Sequence, residues 1–435
     1  MHPSTYRERR RRFLEAMGER SVAVVPAAPT AIRNNDVEHE YRQDSDFYYL
    51  TGLDEPQSLL VLSNAHAEHA EVLFVRPRDP SREIWDGPRT GVDGAVAELG
   101  ADAAFESEEI DQRLVDYLVD AERLYYRLGL DAAMDRRVLD ALERARRKHR
   151  HGKAYPTVIV DPGTHLHDAR LRKDEGELDA MRRAAEITRA AHLAAMRAAK
   201  PGGYEYEVEA EILRVFRAHG SERPAYGPIV GSGPNATILH HRKNDRRMEA
   251  GDLLLIDAGC ELDYYACDVT RTFPIDGTFT EPQRAVYDLV LAAQLACIDA
   301  TRPGATLEDI HRVAVREITE GLVELGLVEG PPEDAVENDL YKAFFMHRTS
   351  HWLGMDVHDV GLYYRRGEPV ALEPGMVLTI EPGIYVARDA EVDERWRGIG
   401  VRIEDDVLVT EDGCENLTAA IPKAPREIER VLAER

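Results

Sequence analysis

One twelve-residue phrase occurs twice in this chain. "MEAGDLLLIDAG" (Met248–Gly259) lies without gaps on "LEPGMVLTIEPG" (Leu372–Gly383), 124 positions later, sharing the Glu, both Gly, one Leu and the Ile, with an acid in the same place. Two buried strands can resemble one another by chance, but here the surroundings repeat as well. Apolar residues at three and four spacing predict a helix from Glu177 to Lys200, stopped by "KPGG", then a second helix over "YEVEAEILRVFRAHG" and two strand regions. The same order returns as a helix from Glu281 to about Ala300, a helix capped by Thr306 and running to Leu325, and strands to about Thr410. The pattern predicts an internally duplicated C-terminal domain.

Each copy of the phrase ends an apolar strand on an acid, Asp257 in the first and Glu381 in the second, and a second acid waits beyond the turn. If the first hairpin turns between Leu262 and Asp263, Asp257 faces Asp268; a longer loop centred on Val392 and Asp393 sets Glu381 opposite Glu404. Directly opposed residues have Cβ atoms about 4.5–5.5 Å apart, where two carboxylates repel unless one is protonated or a cation lies between them. A lone acid at a strand end is ordinarily solvated. Two acid pairs at matching places of a repeat point instead to a shared site holding metal.

Histidines supply the missing nitrogen. "FFMHRTSHWLGMDVHDVG" carries His347, His351 and His358, and "ATILHHRKND" adds His240 and His241; a single imidazole completes a site of four carboxylates. Oxygen-rich ligation with one His favours a hard divalent ion such as Mn²⁺, with Co²⁺, Zn²⁺ or Fe²⁺ as substitutes. Two such ions activate a water and polarise a carbonyl, which is hydrolytic chemistry for amides or phosphate esters. No Walker-type loop or basic phosphate clamp is present, so amides are favoured.

The residues ahead of this region read differently. Strands are expected over Ser21–Ala28, Ser58–Asn64, Ala70–Pro77 and Arg123–Asp131, with a helix over "DAAMDRRVLDALERARRKHR". The expected organisation is an α/β (α+β) chain with an N-terminal domain over 1–172 and a catalytic domain over 173–435. With 55 Lys+Arg against 80 Asp+Glu, a formal net charge of -25 argues against nucleic acid or an anionic membrane as partner. There is no apolar run long enough to span a bilayer and no secretory h-region. The four cysteines lack CxxC spacing, which fits a cytoplasmic protein.

"LLLIDAG" with "CDVTRTF", "SHWLGMDVHDVG", "TIEPGIY" and "RGIGVRIEDD" resemble the pita-bread metallopeptidases, and within them the aminopeptidase P family. "RNNDVEHEYRQDSDFYYLTGLDEP" and "REIWDGPRTG" extend the resemblance over nearly the whole chain. It implies a creatinase/aminopeptidase P-like N-terminal α/β domain, engaged in oligomerisation and in shaping access to the site. A pita-bread domain with an internal pseudo-twofold duplication follows. It implies two metal ions on Asp257, Asp268, His351, Glu381 and Glu404, with Asp268 and Glu404 bridging. His240 and His358 hold substrate and oxyanion, His347 lines the proline side, Tyr385 sits near the metals, Arg402 braces a ligand and Glu381 shuttles the proton. The implied activity is Xaa-Pro aminopeptidase, acting on peptides with proline second, in a dimer or tetramer with Trp85 across a subunit contact. Prolidase, restricted to dipeptides, is the nearest alternative. The short Glu381–Glu404 interval and "RQDSDFYYLTG" favour the aminopeptidase. An inactive binding protein on the same scaffold is the alternative of another kind.

Overall fold

The four apolar runs of the N-terminal part are strands of one sheet. In the computed structural model, which describes residues 2–434, the chain divides into a unit ending at Ala169 and another beginning at Arg170. In the first unit the strands Ser21–Pro26, Leu59–Ser63, Glu71–Val75 and Arg123–Tyr125 are joined by Ala103–Glu106 and Val158–Val160. Together they form a six-stranded sheet whose order, by first residue, is 103, 71, 59, 21, 123, 158. Antiparallel pairs lie at its centre and parallel pairs at its margins. The two added strands span four and three residues with mostly half-exposed or exposed positions, too few for an alternation to show in the sequence. The helix Ala132–Arg147 starts where the Asp131 carboxylate caps it and contributes Val138, Ala141 and Ala145 to the buried core that also holds Val22, Val24, Leu59 and Phe74.

In the second unit, two helix pairs precede two sets of strands, as the repeat requires. The helix expected from Glu177 begins at Glu175 instead. Asp174 Oδ1 accepts from the Glu177 amide at 2.9 Å while Glu177 Oε2 accepts from the Asp174 amide at 2.7 Å, a capping box that makes Glu177 the third residue of the helix. Thr280 and Thr306 cap the helices Glu281–Ala300 and Leu307–Glu324 in the same reciprocal way. The phrase copies become the strands Leu253–Asp257 and Val377–Ile380, all nine residues buried. Ile229–Ser232 and Thr270–Pro274 flank the first; Asp405–Val409, itself edged by Cys414–Asn416, pairs with the second.

The register of the first hairpin differs from the expected one. Asp257 stands opposite Thr270, and Leu262 opposite Tyr265, so the chain turns at Asp263 and Tyr264, one residue later than the symmetric placement. Both turn residues have positive φ (51° and 70°), the two-residue geometry whose twist matches that of the strands. Asp268 therefore stands opposite Gly259. Because side chains alternate with period two, it keeps the same face as Asp257 but lies diagonal to it. A Cβ on Gly259 would sit 1.6 Å from the Cys267 carbonyl oxygen, so the position admits no side chain. In the second copy Ile380 pairs with Asp405 and Gly383 with Arg402, which puts Glu381 directly opposite Glu404 as expected.

Candidate metal centre

The two hairpins meet along their second strands. The Glu404 amide donates to the Thr270 carbonyl at 3.1 Å and Thr270 Oγ1 donates to Glu404 Oε2 at 2.6 Å. Two residues further along each segment, the Asp268 amide donates to Asp406 Oδ2 at 3.1 Å. The histidine-bearing segment joins from the other side: Trp352 bridges to Leu378, the Glu381 amide donates to the Thr349 carbonyl, and His351 is thereby held beside Glu381. The strands converge on five side chains. One ligand atom each from Asp268, His351 and Glu404 lies within 4.8 Å of the others. His351 Nε2 is 3.4 Å from Asp268 Oδ2 and 3.6 Å from Glu381 Oε1. Asp257 is tied to Asp268 through Tyr226, whose hydroxyl lies within hydrogen-bonding distance of Oδ1 of both acids and has one hydrogen to give.

Three of the four acids, Asp257, Glu381 and Glu404, hold protons more tightly than free carboxylates. Burial raises Asp257, with Arg402 opposing and Asp268 adding to it. Burial also lifts Glu381 to about 7, against the pull of His351 and Arg402, and drives Glu404 well above the usual carboxylate range, with Asp268 and Glu381 adding to it. Burial alone would lower His351, but Asp268 and Glu381 outweigh it and hold the imidazole at about 9. His351 Nδ1 lies 3.0 Å from the Trp352 carbonyl, which can only accept; Nδ1 therefore carries hydrogen and Nε2 is the nitrogen turned to the acids. One guanidinium braces Asp257: Arg402 donates from Nη2 to Asp257 Oδ2 at 2.5 Å, from Nε to Thr270 Oγ1 and from Nη1 to the Tyr385 hydroxyl at 3.1 Å. An oxygen-rich set with one correctly turned imidazole and a surplus of negative charge fits divalent metal.

The other expected residues ring this cluster. His358 is exposed, with its ring 4.5 Å from that of His351 in an edge-to-face arrangement. His347 Nε2 is 2.9 Å from the Tyr385 hydroxyl, and burial pushes this imidazole down to about 4. His240 is exposed. Sequence reasoning missed Tyr226 and Asp406. Asp406 was visible in "RIEDD" as the acid two after Glu404; Tyr226 lies outside the repeat and carried no signal beyond its nearness to Ile229, the strand partner of Asp257.

Residues 179–411 match the model of metallopeptidase family M24, and residues 6–125 match that of the aminopeptidase P N-terminal domain. The chain belongs to metallopeptidase family M24. More particularly, it is 45% identical over 428 residues to the Xaa-Pro aminopeptidase of Escherichia coli, covering 98% of this chain and 97% of that one. It is 36% identical to human Xaa-Pro aminopeptidase 3 over 427 residues, covering 96% and 82% respectively. Among solved structures, Pseudomonas aeruginosa aminopeptidase PepP superposes with a TM-score of 0.98 at 50% identity, covering 100% of this chain and 98% of that one. A zinc-substituted E. coli aminopeptidase P holding product superposes with a TM-score of 0.96 at 45% identity, covering 100% and 99%. The mixed α/β architecture, an aminopeptidase P N-terminal domain followed by a pita-bread domain, is that of these proteins.

Proposed function

We propose that this chain is a metal-dependent Xaa-Pro aminopeptidase that removes the first residue from peptides with proline second. The observation that carries the reading is the convergence of Asp268, His351 and Glu404, with Asp257 and Glu381 beside them, in a chain matched end to end by Xaa-Pro aminopeptidases. These five residues would hold two divalent ions, Mn²⁺ being favoured by the oxygen-rich donors, with Asp268 and Glu404 shared. When bound, the ions supply Lewis acidity to the scissile carbonyl and acidity to a water.

The remaining work falls to the protein. Glu381 takes the proton of the attacking water on a carboxylate oxygen and returns it to the departing proline nitrogen. That nitrogen has no hydrogen before cleavage, so the leaving group needs a proton delivered to it. His240 and His358 hold the substrate and donate to the developing oxyanion, where charge grows most in the transition state. His347, neutral at pH 7 and bonded to Tyr385, lines the proline side. Arg402 donates to Asp257 Oδ2, which turns it to the centre and opposes the burial that favours its protonation.

The N-terminal domain, over residues 1–172, mediates contacts between copies in a dimer or tetramer. Ile84 and Trp85, 82% and 84% exposed, support such a contact. Four free cysteines, three of them buried, support a reducing cytoplasm. The test is turnover of Xaa-Pro-Yaa tripeptides, Xaa-Pro dipeptides and Met-Ala peptides with Mn²⁺ added. Tripeptide cleavage is expected; turnover confined to dipeptides makes the chain a prolidase, and preference for Met-Ala removes the proline reading.

A further inference from the structure

Behind the site lies a buried carboxylate to which the mechanism above assigns nothing. Glu205 opens the helix Glu205–Ala218, and its side chain is fully buried. Both of its oxygens are filled from a single stretch of chain. Oε1 accepts from the Ser232 amide and hydroxyl, each at 2.7 Å, and from Asn235 Nδ2 at 3.0 Å. Oε2 accepts from the Arg246 amide at 3.0 Å and lies 3.0 Å from His241 Nε2. One carboxylate thus gathers positions 232, 235, 241 and 246 of the loop that carries His240. A buried acid is a costly way to close a core, since an apolar side chain of similar size commonly serves stability as well. What it provides is fixed geometry.

His240 depends on that geometry. It is exposed, and among the described residues it makes no hydrogen bond of its own, so its position is set by its neighbours. The front of the loop is fixed too: the turn Gly233–Thr237 rests on the strand Gly400–Arg402, where a Cβ on Gly400 would come within 2.2 Å of the Ala236 carbonyl oxygen. With the front seated on the Arg402 strand and the back tied to Glu205, the buried neighbour His241 is the last fixed point before His240.

We propose that Glu205 and His241 are positioning residues, which act by holding His240 where it meets the substrate. The proposal rests on the reading of His240 as a substrate-holding group. His241→Leu removes the donor to Glu205, whereas His241→Gln places an amide N–H near the same point. With an Xaa-Pro-Yaa substrate, His241→Leu is expected to lower kcat at least about tenfold with KM within about threefold, and His241→Gln to stay within about threefold of wild type. Metal content should match wild type in both, while His241→Leu, which leaves a buried Glu205 oxygen one donor short, should melt below wild type and His241→Gln closer to it. In a double-mutant cycle with His240→Ala, the added His241→Leu should cost no more than about twofold, because a residue acting only through His240 has nothing left to act on.

Activity of His241→Leu within about twofold of wild type, equal loss in the Leu and Gln variants, or losses that multiply with His240→Ala would each overturn the proposal. If His241→Leu does not fold, His241→Asn, whose shorter amide falls away from Glu205, takes its place in the cycle. Wild-type protein that fails to turn over the peptide refutes the parent reading; wild-type turnover with an indifferent His241 refutes this inference alone.

Discussion

Metal binding to this centre should be steeply pH-dependent, with a slope set by groups whose protons the cation must displace. In the metal-free protein His351 is held at about 9 and Glu381 at about 7. An ion entering near pH 8 displaces at least one proton, from His351; near pH 6 it displaces at least two, from His351 and Glu381. Affinity should then fall about tenfold from pH 8 to 7 and about a hundredfold from 7 to 6, roughly a thousandfold in all, or about 4 kcal/mol. Asp257 and Glu404, raised in the same direction, steepen the slope further.

The sign for folding follows from the same groups. Glu381 in the folded protein keeps its proton between the ordinary carboxylate range and about 7, and His351 keeps its own between about 6.5 and 9, where the unfolded chain has released both. The metal-free protein therefore loses stability as pH rises through each window, by up to about 3 kcal/mol per group. Calorimetric titration of Mn²⁺ into chelator-stripped protein, in two buffers of different ionisation enthalpy, counts the protons directly. Release of about two protons or more near pH 6 is expected. Affinity flat within about threefold between pH 6 and 8 would show that these side chains do not receive the metal.

Other substitutions probe single parts of the arrangement. Asp268→Ala removes a carboxylate from the heart of the cluster and should lower kcat/KM at least about a thousandfold, with metal stoichiometry by atomic absorption falling alongside. Tyr226→Phe deletes the hydroxyl that Asp257 and Asp268 share; a loss of about tenfold to a hundredfold in metal affinity is expected, read by competition with a chelating dye. Gly259→Ala forces a methyl onto the Cys267 carbonyl and should cost more than about 4 kcal/mol, seen in denaturant unfolding as a large drop in midpoint or as failure to fold.

How far the sequence foretold this site depends on what kind of signal each residue leaves. Glu381 and Glu404 were legible because a long loop leaves the register to the strands, whose pairs Ile380 with Asp405 and Gly383 with Arg402 set the two acids opposite one another. Asp257 and Asp268 were legible as a pair on one face but not in their register. That register rests on a turn with two positive-φ residues, Asp263 and Tyr264, and Tyr264 is not a residue that advertises such a conformation. Helix starts shifted where a capping box, Asp174 with Glu177, reached two residues beyond the apolar pattern. Tyr226 and Glu205 stayed hidden for another reason: a tyrosine before a strand and an acid in a first helical turn are ordinary in a sequence. Only the fold reveals that one spans two carboxylates and the other is buried beneath a loop.

The most direct measurement is product analysis by mass spectrometry on chelator-stripped protein, with and without added Mn²⁺, given an Xaa-Pro-Yaa peptide and its Xaa-Ala-Yaa counterpart. Release of free Xaa and Pro-Yaa only when metal is restored, and much more slowly from the alanine peptide, is the predicted result. Cleavage that persists without metal, or that ignores the proline, would contradict the account.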